Sequence, residues 1–347
     1  MYQVFVKDTD NNIIWELPYQ SFSFTDEINK GKDARFNFSY EDLTAIATTY
    51  NTTYITILGG GFREIWINKN NAKIYYGVIT DIDEASDRDT EQVTISVASV
   101  GFFNVFDKRR TNNKRVFSSV DAGTIAWTLI NESQTSDNPY SDLGVTQGTI
   151  AASVSRDRTL RFDNIKEVIT KLSNDNLSNG FDFEIDNQKQ LQVYYSQKGS
   201  QRPEIIFDEK NILNWTRNRP SILSLTNKVY VIGEGINDDV LYSTRTSDPT
   251  YRDVFGTLED VLSEKDIIQS TTLDAKGDRF LLDNQSPLEV FSINHADDDP
   301  DIATYDIGDS VQLSIPKLGI SKRYKRVIKR TVSSDSDELA IAVITLK

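Results

Sequence analysis

The sequence predicts a mainly β protein with α+β insertions. Three observations lead there. Apolar and polar residues alternate with period two through the first hundred residues, the alternation returns from about Trp215 to the end, and helical spacing appears between them. A chain of 347 residues favours two or three domains. Shifts in composition place them at 1–105 (a β domain), 106–215 (an α+β insertion) and 216–347 (a second β domain with a helical insertion).

Taken in order, Gln3-Val4-Phe5-Val6-Lys7, Ser21-Phe22-Ser23-Phe24-Thr25 and Ala34-Arg35-Phe36-Asn37-Phe38 read as strands with one face on a core. Asp10-Asn11-Asn12 supplies turn chemistry for an opening hairpin with Ile13-Ile14-Trp15. Ser39 and Asp42 form a capping box ahead of Leu43, Ile46, Ala47 and Tyr50 at helical spacing. Strands are expected at Tyr54–Leu58, Glu64–Ile67, Lys73–Ile82 and Gln92–Val97, a density of short strands that suits a small barrel or sandwich.

After Gly101 comes the basic cluster Lys108-Arg109-Arg110-Thr111-Asn112-Asn113-Lys114-Arg115, then a helix over Ala122–Asn131. Residues 131–160 are polar and read as a long loop or extended β-arm. Asp163 caps a helix bearing Ile165, Val168, Ile169 and Leu172, which ends near Asn179-Gly180. A hairpin follows, Phe181–Ile185 and Leu191–Tyr195 around Asp186-Asn187-Gln188-Lys189. Beyond it, Asn227–Gly233 reads as a strand, and Thr257 with Asp260 as a capping box for a helix through Leu258, Val261 and Leu262. Asp309–Ile315, Lys325–Val332 and Leu339–Leu346 close the chain as strands.

Composition excludes whole classes of chemistry. Cysteine is absent, which removes disulfides, thiol nucleophiles, zinc ribbons and iron–sulfur clusters. A single histidine, His295, removes the two-histidine zinc helix. Lys and Arg number 38 against 52 Asp and Glu, a net charge of −14 that disfavours a nucleic-acid clamp or an anionic membrane surface. No stretch approaches the roughly 18–20 apolar residues of a spanning helix, and Met1–Phe5 does not read as a secretory signal. The apolar fraction is 38%, yet 17 Phe, 15 Tyr and 4 Trp can anchor packed sheets. Small β modules with much polar surface, completed by partner chains, fit that balance.

The candidate motifs yield little chemistry. His295-Ala296-Asp297-Asp298-Asp299-Pro300-Asp301 is the densest acidic run. It lacks the alternate ligands, central Gly and distal Glu of a calcium loop, and reads as a solvated surface loop. His295 has no Ser in a nucleophile elbow. Gly59-Gly60-Gly61 and Gly233-Glu234-Gly235 read as turns, because Asp238 stands where a dinucleotide fingerprint needs its third Gly. Carboxylate pairs are too abundant to single one out. The basic cluster has Phe103 and Phe106 before it and Phe117 after it without interleaving, and reads as an interdomain linker or subunit contact. No catalytic, cofactor-binding or metal-ligating residue is assigned.

Order and spacing along most of the chain resemble the tail hub proteins of long-tailed bacteriophages, related to the baseplate hub of contractile tails. Lys73–Ile82, with Gly77 before Val78-Ile79, resembles the strand closing that family's first-barrel hairpin. The helix at 163–173 with Phe181–Tyr195 is similar to its helix–hairpin insertion. Asn227–Gly233 resembles the strand returning to the second barrel, and Tyr305-Asp306-Ile307-Gly308-Asp309-Ser310-Val311 with Arg326-Val327-Ile328 resembles the closing barrel's turn and strand.

The resemblance implies two small hub-type β-barrel domains plus a helix–hairpin α+β domain, in a structural, non-enzymatic virion protein made in the host bacterial cytoplasm. It implies a homotrimer whose pseudo-sixfold face docks on a hexameric distal tail ring, with a tail tip or fibre protein below and DNA passing through unheld. No cofactor and no membrane insertion by this chain are expected. Negative walls would repel phosphate, as the net charge suggests. The other readings are a tail-associated carbohydrate-binding or cell-wall hydrolase module using carboxylates on a β scaffold, and a contractile-injection component of the same architecture.

Overall fold

A computed structural model describes residues 1–8, 13–59, 63–87, 92–137, 141–152, 154–173, 180–219, 221–235, 239–265, 267–335 and 340–347. The expected turn at Asp10-Asn11-Asn12, Gly60, Gly61, Asn179, Asp238 and Leu339 lie outside them. Two compact units form. One comprises Met1–Ser173, Phe181–Trp215 and Ser292–Leu346, and the other is principally Thr216–Phe291. The last fifty-odd residues thus pack with the first unit, whereas composition groups them with 216–291.

In the first unit the alternating segments form β1 (Tyr2–Lys7), β2 (Ile14–Leu17), β3 (Ser21–Glu27) and β4 (Asp33–Ser39). Their buried residues fall at every second position, Phe22, Phe24 and Asp26 in β3 for example. Helix α1 (Tyr40–Thr49) starts at Ser39, whose hydroxyl accepts from the Asp42 amide at 3.3 Å. The carboxylate that closes on Ser39 is Glu41 rather than Asp42.

Tyr54–Leu58, expected as a strand, is helix α2. Thr53 caps it by accepting from the Thr56 amide, and Ile57 and Leu58 are buried while Ile55 is exposed. Five residues with apolar side chains at 54, 55, 57 and 58 satisfy both periods, and the cap decides.

The sheet continues with β5 (Glu64–Lys69), β6 (Ala72–Ser86) and β7 (Val93–Val100). After the short helix α3 (Phe102–Val105) come β8 (Arg115–Asp121) and α4 (Ala122–Thr135), capped by the Asp121 carboxylate on the Gly123 and Thr124 amides. The expected loop or extended β-arm at 131–160 is regular at its two ends and irregular over most of its described middle. Helix α4 runs four residues further, β9 (Thr146–Gln147) lies parallel to a later strand, and β10 (Ser155–Leu160) pairs with β8. Gln134 holds the intervening chain by donating to the Val145 carbonyl and accepting from the Val145 amide. Polar composition here supplies internal hydrogen bonds that replace water.

Helix α5 (Ile165–Ser173) is capped by Asn164, whose side chain accepts from the Glu167 amide, while Asp163 takes the Arg161 amide instead. Strands β11 (Asp182–Ile185) and β12 (Gln190–Tyr194) form the expected hairpin. Its Phe183 and Leu191 join Ile125, Leu129, Ile169 and Phe106 in one core with α4 and α5.

Strand β13 (Gln201–Phe207) precedes β14 (Ile212–Asn218), along which the chain leaves this unit. The second unit holds β15 (Lys228–Ile232), β16 (Tyr242–Thr246), α6 (Pro249–Phe255), β17 (Glu259–Ser263) and α7 (Ser270–Asn284). The Thr257–Asp260 pattern does not open a helix. Glu259–Ser263 pairs in parallel with β15, Val261 opposite Tyr230, and Asp260 accepts from the Val261 amide next to it. Cross-strand pairing overrides the local cap. The helices fall on either side of β17, α6 starting at Asp248 with Pro249 behind the cap, and α7 laying Leu273, Gly277 and Leu281 against β15 and β16.

Strand β18 (Val290–Ala296) brings the chain back, and β19 (Ser310–Ile315), β20 (Ile320–Asp335) and β21 (Ile341–Leu346) complete the first unit. Among the described residues the sheet has 13 strands, ordered β14-β18-β21-β20-β3-β4-β7-β6-β5-β1-β2, with β19 also on β20 and β13 on β19. Strands from the two ends of the chain therefore share one hydrogen-bonded ladder through β20 and β3, from Lys329 opposite Glu27 to Asp335 opposite Ser21.

Candidate functional site

Charged side chains inside the first unit mark where its three chain segments meet. Strand β20 buries Val327, Arg330 and Val332, a register shift between Val327 and Lys329 setting the last two on the alternate positions, and Arg330 is 4% exposed. Its guanidinium donates to the Ile302 and Tyr305 carbonyls, both at 3.0 Å, and lies 3.3 Å from Asp306 and 3.9 Å from Asp26. Lys32 bridges Asp26 at 3.4 Å and the Asn187 side chain at 3.0 Å. Lys198 stands 2.8 Å from both Glu184 and Asp306. Burial opposes its charge, but the two carboxylates hold its ammonium above the ordinary lysine range. Burial likewise works against Asp306, yet Lys198 and Arg330 hold that carboxyl well below the usual range. Arg326 pairs with Asp182, which also accepts from the Lys198 amide at 2.6 Å. The hairpin is thus tied to β3, to β20 and to the turn before β19.

The acidic run 295–301 is not a solvated loop. His295 is fully buried and Asp297 is 5% exposed, leaving Asp298 and Asp299 outside. Lys69 stands 2.6 Å from Asp297 and 2.6 Å from Asp301. Tyr2 donates to Asp297, and the Ile302 amide reaches it at 2.8 Å. The lysine ammonium occupies the position between carboxylates that a cation reading would give to a metal. Among the described residues no group of three His, Cys, Asp or Glu could hold a metal ion. One ammonium serving two carboxylates favours the outer one. Asp301 is held low by Lys69 against its partial burial, while burial pushes Asp297 up to about 7. No sequence signal points to this arrangement, because Lys69 and Asp297 are 228 positions apart.

The imidazole of His295 has its Nδ1 2.8 Å from the Ala296 carbonyl, so Nδ1 carries the proton and Nε2 accepts from the Tyr305 hydroxyl at 2.8 Å. Burial lowers its pKa below the ordinary value. It is a satisfied core group without a nucleophile partner.

The glycine points are backbone crossings. Gly59 ends α2, its amide donating to the Ile55 carbonyl at 2.7 Å. Gly233 donates to the Leu241 carbonyl at 2.7 Å, and a Cβ there would meet the Ile267 carbonyl at 2.7 Å. Neither opens a helix onto a phosphate.

The basic cluster starts beside a cleft of about 860 Å³. Val78, Val100 and Val105 contribute apolar lining, Lys30, Lys108, Arg109 and Lys166 the cations, and Asp33 and Asp107 the carboxylates. Burial raises the Asp33 carboxyl, opposed by Lys166. Further along, Arg110 bridges to Asn164, and Arg115 opens β8 and pairs with Glu132. No helix among the described residues is long and apolar enough to cross a membrane.

No protein-family model matches the chain, and no curated protein matches it in sequence. Solved structures do match it in fold. The 43 kDa tail protein of prophage MuSo2 from Shewanella oneidensis superposes with a TM-score of 0.72 at 10% identity, over 100% of this chain and 98% of that one. The tail protein from Neisseria meningitidis MC58 gives 0.69 at 11% identity, over 100% and 96%. Prophage tail protein gp18 from Listeria monocytogenes EGD-e gives 0.63 at 14% identity, over 99% and 94%. The chain has the fold of phage tail proteins, as the hub resemblance in its sequence implied.

Proposed function

We propose that this chain is a structural, non-enzymatic hub of a phage or prophage tail tip. Three copies form a ring at the end of the tail tube. The ring adapts the sixfold tail to a threefold tip, docks on a hexameric distal tail ring above and carries a tip or fibre protein below. DNA crosses its bore without being held, because acidic walls repel phosphate.

The observation that carries the reading is the match in fold along both whole chains to tail proteins from three sources. Length agreement matters here, since a shared module alone would leave much of each partner unmatched. The charged groups where the three chain segments of the first unit meet are engaged with one another, which suits a scaffold. The place of action on this reading is the virion.

Native mass spectrometry of the full chain tests it, alone and with the tail protein encoded beside it. Trimers are expected in at least one sample. Monomers in both would overturn the ring, and turnover of cell-wall glycan that is lost when one or two carboxylates become amides would establish the hydrolase reading in its place.

A further inference from the structure

Positive charge in this acidic chain is concentrated. Residues 108–121 and 155–163 hold eight Lys and Arg against three carboxylates, while the whole chain carries −14. The residues outside these segments together carry a net −19, although 317–330 holds seven Lys and Arg without a carboxylate. The fold brings the two segments together as the β8–β10 ribbon, paired from Arg115 opposite Leu160 to Asp121 opposite Ser155. Lys114 and Arg161 lie exposed at one end of it.

Apolar groups are exposed among these cations. Val116 in β8 is 64% exposed and Phe162, just past β10, is 59% exposed. Phe162 has φ 59°, a left-handed backbone that bulky L residues rarely adopt, and the Arg161 guanidinium lies over its ring at 5.5 Å. A left-handed backbone that holds an aromatic mostly in water costs stability in the single chain and marks the turn for a role at the surface.

We propose that this ribbon, with the Phe162 turn, is the surface by which one copy of the chain grips an acidic face of the next. Charge complementarity identifies the occupant, because the acidic surface of a second copy is complementary to the ribbon and always present with it. Val116 and Phe162 gain by being covered with protein, whereas a phosphate backbone offers them no apolar surface. A ribbon meeting a different face of its neighbour makes a head-to-tail contact, the kind that closes into rings. The inference rests on the ring reading above and names its interface.

Sedimentation equilibrium of the full chain across a series of salt concentrations tests it. Wild type is expected to associate, more weakly as salt rises. K114E/R161E is expected to lower the association constant at least tenfold with an unchanged thermal midpoint. F162S, which keeps the charges, is expected to weaken association with the salt slope retained. Association equal to wild type in both variants would overturn the ribbon contact and leave the ring standing, whereas a monomeric wild type would remove both. A 30-base-pair duplex bound by wild type and released by K114E/R161E, with association unaffected, would assign the ribbon to nucleic acid and overturn the proposal.

Discussion

Lys198 and Asp306 stand 2.8 Å apart, the lysine just after the β11–β12 hairpin and the aspartate in the turn before β19. The same ammonium reaches Glu184 at 2.8 Å, so a single cation fastens the α+β insertion to the closing strands. Lys198→Met keeps the stem and deletes the charge, leaving Glu184 without its cation. We expect a loss of about 3 kcal/mol in urea unfolding, the lower end for a broken buried pair because Asp306 is half exposed.

Gly199 and Gly308 cross back to back beside that pair. Their φ values are +94° and +96°, and a Cβ on Gly199 would fall 2.1 Å from the Gly308 carbonyl carbon. Backbone cannot swing aside as a flexible side chain can. Gly199→Ala is expected to cost more than about 2 kcal/mol, combining a left-handed backbone with a collision, and a thermal melt within a degree or two of wild type would contradict it.

His295 gives a titration free of overlap, being the only histidine. Burial depresses its folded pKa, so between that value and 6.5 the unfolded chain binds the proton and the folded chain does not. Its contribution to stability is present above about 6.5 and is lost as pH falls, at up to about 1.4 kcal/mol per pH unit. The imidazole carbon-bound proton should titrate below 6.5 by NMR in the folded protein, and a midpoint at or above 6.5 would refute the buried neutral ring.

Asp297 works in the opposite direction. Its folded pKa of about 7 lies above the unfolded carboxyl near 4, so the folded chain keeps the proton over that interval. This group's contribution is full below pH 4 and declines as pH rises through 7. Asp297→Asn should remove the decline. Relative to wild type its thermal midpoint should improve steadily from pH 4 to 7, and a constant offset across that range would exclude the assignment.

Legibility in the sequence followed periodicity. Strands β3, β4, β7, β19 and β21 were readable because one face is buried and the other wet, and Phe22/Phe24 or Val311/Leu313 betray it. The hairpin β11–β12 was readable from its turn. Short segments failed where two periods fit equally, as in Tyr54–Leu58, and where pairing with a distant strand overrode a local cap, as in Glu259–Ser263. Helix α7 is hard to read from sequence since only Leu273, Gly277 and Leu281 of its stripe are buried, the middle one lacking a side chain. The charged junction was invisible for another reason. Asp26, Lys198 and Arg330 look like surface residues one at a time, and only the fold places them together.

The β3–β20 ladder has a consequence for how the chain is made. Strand β3 ends at Glu27, and its pairing with β20 begins at Lys329. One edge of β3 pairs at once with β4, but a ribosome must add about 300 residues before its other edge can pair, and the unit at Thr216–Phe291 emerges during the wait. Loop closure over such a separation is slow, and an unpaired edge is open to wrong partners meanwhile. Nascent chains of this protein should thus depend on translation speed and on holding chaperones more than their length alone suggests.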